Sequence, residues 1–258
     1  MTIKPIRSLI TLYEPGFKLN GRLWTRASNF GRWKDAVKFC NERGTKLQTL
    51  RDALEFNHHR YGATYPLIRQ PYNRGHLGMF EDTSTMIAVE KDCDAGLNAY
   101  VWEPNLDELV EYAGSCKNMG GVRRVDSSNP LVQKIKDFAM KEDLFFTMPE
   151  SYTLYFKVDD LASSTGYRSN PIINKLMGGP YLNSHADKLT RMGKTITTIL
   201  LPYPNCYDQG MFITPISLDV CGLGKEALDL DATHDPFVEG CGCVDEILRI
   251  GRGVKEIK

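Results

Sequence analysis

The C-terminal part of this 258-residue chain holds the densest group of side chains able to do chemistry. The group comprises Asp219, Cys221, Asp229, Asp231, His234, Asp235, Cys241 and Cys243. Four members offer the thiolate and imidazole ligands that zinc prefers, namely Cys221, His234, Cys241 and Cys243. We therefore predict a zinc site here, either structural or belonging to a metal-dependent hydrolase. The Cys-Gly-Cys spacing is tighter than the usual two-residue gap, so the alternative is that the cysteines are small buried residues and the acids solvate a loop.

A second candidate site is Cys206, which lies in the turn-rich loop from Pro202 to Gly210. Thiolate attack needs an imidazole within hydrogen-bond reach, so a cysteine hydrolase would use Cys206 as nucleophile and His185 or His234 as base. The alternative is that Cys206 packs beside Tyr207. Spacing in the sequence does not decide between the two.

Charge and motifs exclude several common classes of protein. The chain has 32 basic and 32 acidic residues with no long block of either sign, which argues against a nucleic-acid binder. No phosphate-binding loop, dinucleotide fingerprint, serine-hydrolase elbow or His-Glu-x-x-His motif is present. The apolar runs are too short for a signal peptide or a membrane span, and seven cysteines without an export signal favour reduced thiols. We therefore expect a soluble, cytoplasmic protein without a membrane partner.

The stretch from Thr195 to Cys221 is the predicted structural centre because no other region is as apolar over such a length. β-Branched residues predict a strand over 195–201, and the run 211–220 is its predicted partner across the loop that carries Cys206. Pro215 removes one backbone donor, so the second strand is expected to lie at a sheet edge or to contain a bulge.

Cap and turn residues predict several helices around these strands. A helix from Trp33 is expected to be capped by Ser28 or Asn29 and stopped by Gly44. Further helices are predicted from Thr49 to about His59, and after Pro104, Asn129-Pro130, Asn170-Pro171 and Ser184. Asn20-Gly21 predicts a hairpin turn, 85–90 and 97–102 predict strands, and residues 61–80 are expected to form a long irregular segment.

Residues 21–56 resemble the opening of C-type-lectin-like domains. The matching pattern is a strand, then Trp-x-x-Ala-x-x-x-Cys on a helix, a glycine, a leucine and a second helix, with Trp33, Ala36, Phe39, Cys40, Gly44 and Leu47 at the matching positions. Glu103-Pro104-Asn105 is similar to the sugar-binding tripeptide of that family. The family's later tryptophan-rich core and paired cysteines have no counterpart here. The resemblance implies a binding module.

Together these patterns predict one α+β domain over residues 1–258, with a mixed or mainly antiparallel sheet and several short helices. The leading functional hypothesis is an interaction or structural protein that binds a protein partner or associates with itself. It is favoured by the absent catalytic motifs, the balanced charge and the many tyrosines in loops. The alternatives are the zinc site, the cysteine hydrolase and the C-type-lectin-like binding module.

Overall fold

The computed structural model describes residues 17–25, 28–30, 32–61, 77–92, 96–116, 123–149, 153–157, 168–178, 181–191, 196–200, 210–219, 230–231 and 246–257. The helices are α1 (Trp33–Glu42), α2 (Leu50–Tyr61), α3 (Leu106–Ser115), α4 (Pro130–Lys141), α5 (Pro171–Met177) and α6 (Tyr181–Arg191). The strands are β1 (Phe17–Leu19), β2 (Arg22–Trp24), β3 (Ser28–Phe30), β4 (Lys46–Leu47), β5 (Leu77–Asp92), β6 (Gly96–Trp102), β7 (Arg123–Val125), β8 (Phe145–Met148), β9 (Thr153–Lys157), β10 (Ile196–Leu200), β11 (Met211–Asp219), β12 (Leu230–Asp231), β13 (Glu246–Gly251) and β14 (Gly253–Glu256).

The strands form one large and one small sheet. The large sheet has ten strands in the order β3-β13-β5-β11-β12-β10-β9, with β6 beside β5, β8 beside β6 and β7 beside β11. The small sheet has the order β1-β2-β14-β4. The pairs β13–β5 and β10–β12 are parallel and the other pairs are antiparallel. The predicted α+β class with a mixed sheet is therefore confirmed.

The centre of the large sheet is β5 rather than the predicted pair of strands. Both predicted strands exist as β10 and β11, but β12 lies between them, so their direct pairing is wrong. β11 instead pairs along β5, from Phe212 opposite Val89 to Asp219 opposite Phe80. The register shifts between Pro215 and Ser217, which is the bulge that the proline predicts.

Most helix and turn signals hold, and three boundaries move. Asn129 and Asn170 each cap a helix whose first residue is a proline, and Gly44 ends α1 with a left-handed φ of 63°. However, Arg32 rather than Ser28 or Asn29 is the N-cap of α1, and it makes no side-chain cap. α3 begins after Asn105, so Pro104 precedes the helix, and α6 begins at Tyr181, so Ser184 is inside it.

The predicted irregular segment over residues 61–80 is wrong at its end, because Leu77–Phe80 belong to β5. At its start, Tyr61 is the last residue of α2. Residues 62–76, which include Arg69, Tyr72, Arg74 and His76, lie outside the described residues.

Three aromatic side chains join the first helices to the large sheet. Trp33 and Trp102 each meet the edge of Tyr112, with ring centroids 6.1 and 5.8 Å apart, and all three are buried. Trp33 Nε1 donates to the carbonyl of Thr83 on β5 at 2.8 Å, and the Tyr112 hydroxyl donates to the carbonyl of Ile213 on β11 at 2.9 Å. These bonds satisfy the polar ends of the Trp33 and Tyr112 side chains, so neither is left as a buried donor without an acceptor.

A buried ion pair connects the two sheets at Arg252. This residue stands between β13 of the large sheet and β14 of the small one, and it pairs with Glu81 of β5. Both side chains are at most 3% exposed. Gln48, which follows β4, donates from Nε2 to Glu81 Oε1 at 2.8 Å and from its backbone to the Arg252 carbonyl at 2.9 Å.

The backbone approaches closely just after this ion pair. Gly253 is the first residue of β14, which lies between β2 and β4. A Cβ at this position would lie 2.1 Å from Thr45 Oγ1, so only glycine fits. Gly253 and Thr25 also exchange hydrogen bonds at 2.8 Å. The strand that leaves Arg252 is therefore held tightly in the small sheet.

We expect Arg252→Met to lower the free energy of unfolding by about 3–5 kcal/mol, because it leaves Glu81 buried without its cation. Combining it with Glu81→Gln should recover part of that loss, since the amide oxygen still accepts from Gln48. Urea denaturation of both variants measures the difference. Lys255→Met, an exposed neighbour, is the control and should stay within about 0.5 kcal/mol of the parent. Equal losses of stability for Arg252→Met and Lys255→Met would contradict a stabilising role of the ion pair.

Candidate functional site

Most of the sequence-predicted site residues lie outside the described residues, namely Cys206, Cys221, His234, Cys241 and Cys243. His185 is described. It lies on α6 and is 2% exposed, beside the buried Ala186. Within the described part of the chain, no three side chains of His, Cys, Asp or Glu are grouped so that they could hold a metal ion. The zinc site and the Cys206 hydrolase therefore stay predictions.

The two described cysteines are packing residues. Cys40 on α1 and Cys116 after α3 are both free thiols and both buried. Burial raises the pKa of Cys40 to about 12, although its hydrogen bond with Thr45 acts in the opposite direction. Burial also raises the pKa of Cys116. Because the thiolate is the nucleophile, neither thiol is activated for attack near neutral pH.

The tripeptide Glu103-Pro104-Asn105 starts a helix. Asn105 Oδ1 accepts from the backbone of Glu108 at 2.9 Å, and Glu108 Oε2 accepts from the backbone of Asn105 at 3.0 Å, which is a reciprocal capping box. The Pro104 carbonyl accepts from Lys46 Nζ. The oxygen atoms of Pro104 and Asn105 are therefore engaged within the fold, which is not the arrangement expected of a sugar-binding tripeptide.

The ammonium group beside this tripeptide is partly desolvated. Burial lowers the pKa of Lys46, and the charges of Glu103, Asp52 and Glu108 partly offset the effect. Lys46 thus fastens β4 to the start of α3.

Two surface clefts lie beside α3, and the sequence indicated neither. The first, of about 250 Å³, is lined by Trp102, Glu108, Glu111, Tyr112, Arg123, Asn129, Leu131 and Lys134. Lys134 forms an ion pair with Glu108 across it, and Arg123 donates to Ser115 Oγ at 2.7 Å. Burial acts to raise the pKa of Glu108, but its hydrogen bonds with Lys134 and the Asn105 backbone, together with the charges of Lys134 and Lys46, lower the pKa overall. This cleft has charges of both signs above buried aromatic rings.

The second cleft is a groove of about 370 Å³ between α1 and α3, which we call the α1–α3 groove. It is lined by Lys34, Asp35, Val37, Lys38, Asn41, Val110, Ala113 and Gly114. Gly114 lies inside α3, which continues to Ser115, so this glycine does not end the helix. A glycine inside a helix leaves a gap in the helix surface, and this gap forms part of the groove.

Histidines also meet between α2 and α6. His58 Nδ1 lies 2.7 Å from Ser184 Oγ, and His59 Nε2 lies 3.2 Å from the Tyr181 hydroxyl. The rings of His58, His59 and Tyr181 are within 5.5 Å of one another, centroid to centroid. These contacts dock α6 on α2, whereas the sequence predicted only that His58 and His59 end a surface helix.

Comparisons with protein families, with characterised proteins and with solved structures found no significant match to this chain. No described helix is long and apolar enough to cross a bilayer.

The cysteines provide a prediction that can be measured one residue at a time. In the native protein, iodoacetamide at pH 8 should leave Cys40 and Cys116 unmodified, because both are buried and protonated, and should modify both in urea. Peptide mass spectrometry measures each site separately.

The same labelling tests the hydrolase hypothesis. If Cys206 is an activated nucleophile, it should be the fastest cysteine to react at pH 6. Equal or slower labelling of Cys206 would remove the hydrolase interpretation, and rapid native labelling of Cys40 would contradict its burial.

Elemental analysis tests the C-terminal zinc prediction. Protein purified without added metal should contain about one equivalent of zinc if Cys221, His234, Cys241 and Cys243 bind it as a four-ligand site. Substitution of Cys241 by Ser should then remove most of the metal, while Cys40→Ser, at a thiol buried in the core, should retain it. Zinc at less than about a tenth of an equivalent in the parent protein would end this hypothesis.

Proposed function

We propose that this protein is a non-catalytic binding protein that acts through contacts with other proteins, including copies of itself. The observation that carries the proposal is the pair of clefts beside α3, because they combine charged rims with apolar or aromatic floors. Two buried carboxylates of β5, by contrast, serve the fold. Glu81 pairs with Arg252, and Asp82 Oδ1 accepts from Ser217 Oγ at 2.9 Å.

The local structure of residues 33–61 supports a binding role of the C-type-lectin-like kind. The order of α1, Gly44, β4 and α2 is the order that the resemblance implies. Trp33, Ala36 and Cys40 are all buried on the inner face of α1, and Leu47 is buried in β4. The engaged oxygens of Pro104 and Asn105 favour recognition through the surface beside α3 rather than through a calcium ion at the tripeptide.

Self-association is the part of the proposal that rests on net charge. The formal net charge at pH 7 is zero, and proteins near zero net charge resist association least. Among the described large apolar side chains, only Met140 and Ile257 are exposed, so the described surface offers small contacts rather than one large apolar patch. We therefore expect a reversible association that depends on concentration.

Light scattering coupled to size-exclusion chromatography tests this expectation. Over about a hundredfold range of protein concentration, the mass should rise from near 29.2 kDa towards a multiple of it. Moving the pH away from 7 charges the protein and should reduce the association. A strict monomer at every concentration would contradict self-association and leave only other proteins as partners.

The proposal that the protein is not a catalyst has its own test. Purified protein should leave chromogenic ester, phosphoester and peptide substrates unchanged beyond the buffer rate. Turnover that co-purifies with the protein and disappears in Cys206→Ala would replace this proposal with the cysteine hydrolase. Turnover lost on treatment with a chelator would replace it with the metal-dependent hydrolase.

A further inference from the structure

The α1–α3 groove is an elongated apolar trough. Its α1 side runs from Lys34 to Asn41, which at 1.5 Å per helical residue is about 10 Å, or two helical turns. Val37 and Ala113 form a buried floor, and Val110 is half-buried beside them. A Cβ placed on Gly114 would meet no atom within 4 Å, so the missing side chain leaves open space at one end.

The rim of the groove carries two lysines, and the described fold holds neither in a close ion pair. Lys34 is half-buried, and among the described residues no carboxylate lies within 4.0 Å of its ammonium group. Lys38, one turn further, is 76% exposed and reaches Glu42 only at 4.0 Å. Asp35 is the acidic residue of the lining, and it is exposed in the first turn of α1, where the helix dipole favours it. Cations beside an apolar floor are complementary to a ligand with an apolar face and flanking carboxylates.

We propose that the α1–α3 groove binds an acidic amphipathic segment of a partner protein. An apolar side chain of the segment lies over Val37 and Ala113 beside Gly114, and neighbouring carboxylates pair with Lys34 and Lys38. Laying a short amphipathic segment in a groove between helices is a recurrent mode of peptide recognition. A groove two turns long, with exposed Lys38, Asn41 and Gly114 on its rim, suits a segment of chain better than an enclosed small molecule. This inference rests on the proposed binding function and names the partner's chemistry.

Selection from a displayed peptide library against the 258-residue chain tests the proposal. Enriched peptides should share an apolar residue flanked by Asp or Glu. Their affinity for Gly114→Gln should fall about tenfold or more, because the new side chain fills the open end of the groove. Gln is a better helix former than Gly, so this variant should melt no lower than the parent, which separates blocked binding from misfolding.

Charge reversals inside and outside the groove provide a matched control. Lys34→Glu and Lys38→Glu should each weaken the selected peptides, and added salt should weaken the parent complex in the same direction. Lys141→Glu reverses a lysine on α4 that is about as exposed as Lys38 and does not line the groove, and it should leave affinity within about twofold of the parent. If all three reversals act alike, only a diffuse charge effect exists and the proposal fails.

Three other results would overturn the inference. Peptides that bind Gly114→Gln as well as the parent use another surface. Saturable binding of octanoate to the groove without any enriched peptide would assign it to small carboxylates. A fall in self-association caused by Gly114→Gln would assign it to a second copy of this chain. The first two results do not affect the light-scattering and substrate tests of the proposed function. Failure of the groove proposal can therefore be distinguished from failure of the proposed function.

Discussion

The buried ion pair between Arg252 and Glu81 is the contact on which the joining of the two sheets depends. The chain passes from the large sheet to the small one at Arg252, and the central strand supplies the carboxylate. Gln48 closes the junction, since its backbone donates to the Arg252 carbonyl while its own carbonyl accepts from Ser84 at 2.7 Å. Burying one charge alone is costly, so each member requires the others in place. Three segments far apart in sequence are thereby fixed together.

Glu81 begins an unusual stretch in the middle of β5, where five consecutive polar residues, 81–85, are buried. The two threonines of this stretch bond to different neighbouring elements. Thr83 Oγ1 donates to the Ile216 carbonyl at 2.6 Å, and Thr85 Oγ1 accepts from the Leu50 backbone at 2.8 Å. A buried polar group is tolerated when it is hydrogen-bonded, and these bonds also position β11 and α2.

Sequence reasoning succeeded where the signal is local and failed where partners are distant. Asn129-Pro130 and Asn170-Pro171 predict their helices because an N-cap bonds a backbone group only two residues away. The burial of Glu81 in β5 has no local signal in the sequence, because its partner Arg252 lies 171 residues away. The α1–α3 groove escaped prediction for the same reason, since its two helices are brought together only by the tertiary fold. The zinc and Cys206 hypotheses fall on residues that the described structure does not include.

The anchoring of α3 links this interior to the recognition that we propose at the surface. The capping box at Asn105 fixes its start, and Tyr112 anchors its middle through Trp33, Trp102 and the Ile213 carbonyl. A helix held in this way keeps the clefts on its two sides formed before any partner arrives. Binding to a preformed site avoids the entropy cost of ordering it, so small contact areas suffice for measurable affinity. Asn105, which belongs to the tripeptide that resembles a sugar-binding motif, thus helps to hold the proposed binding surface in shape.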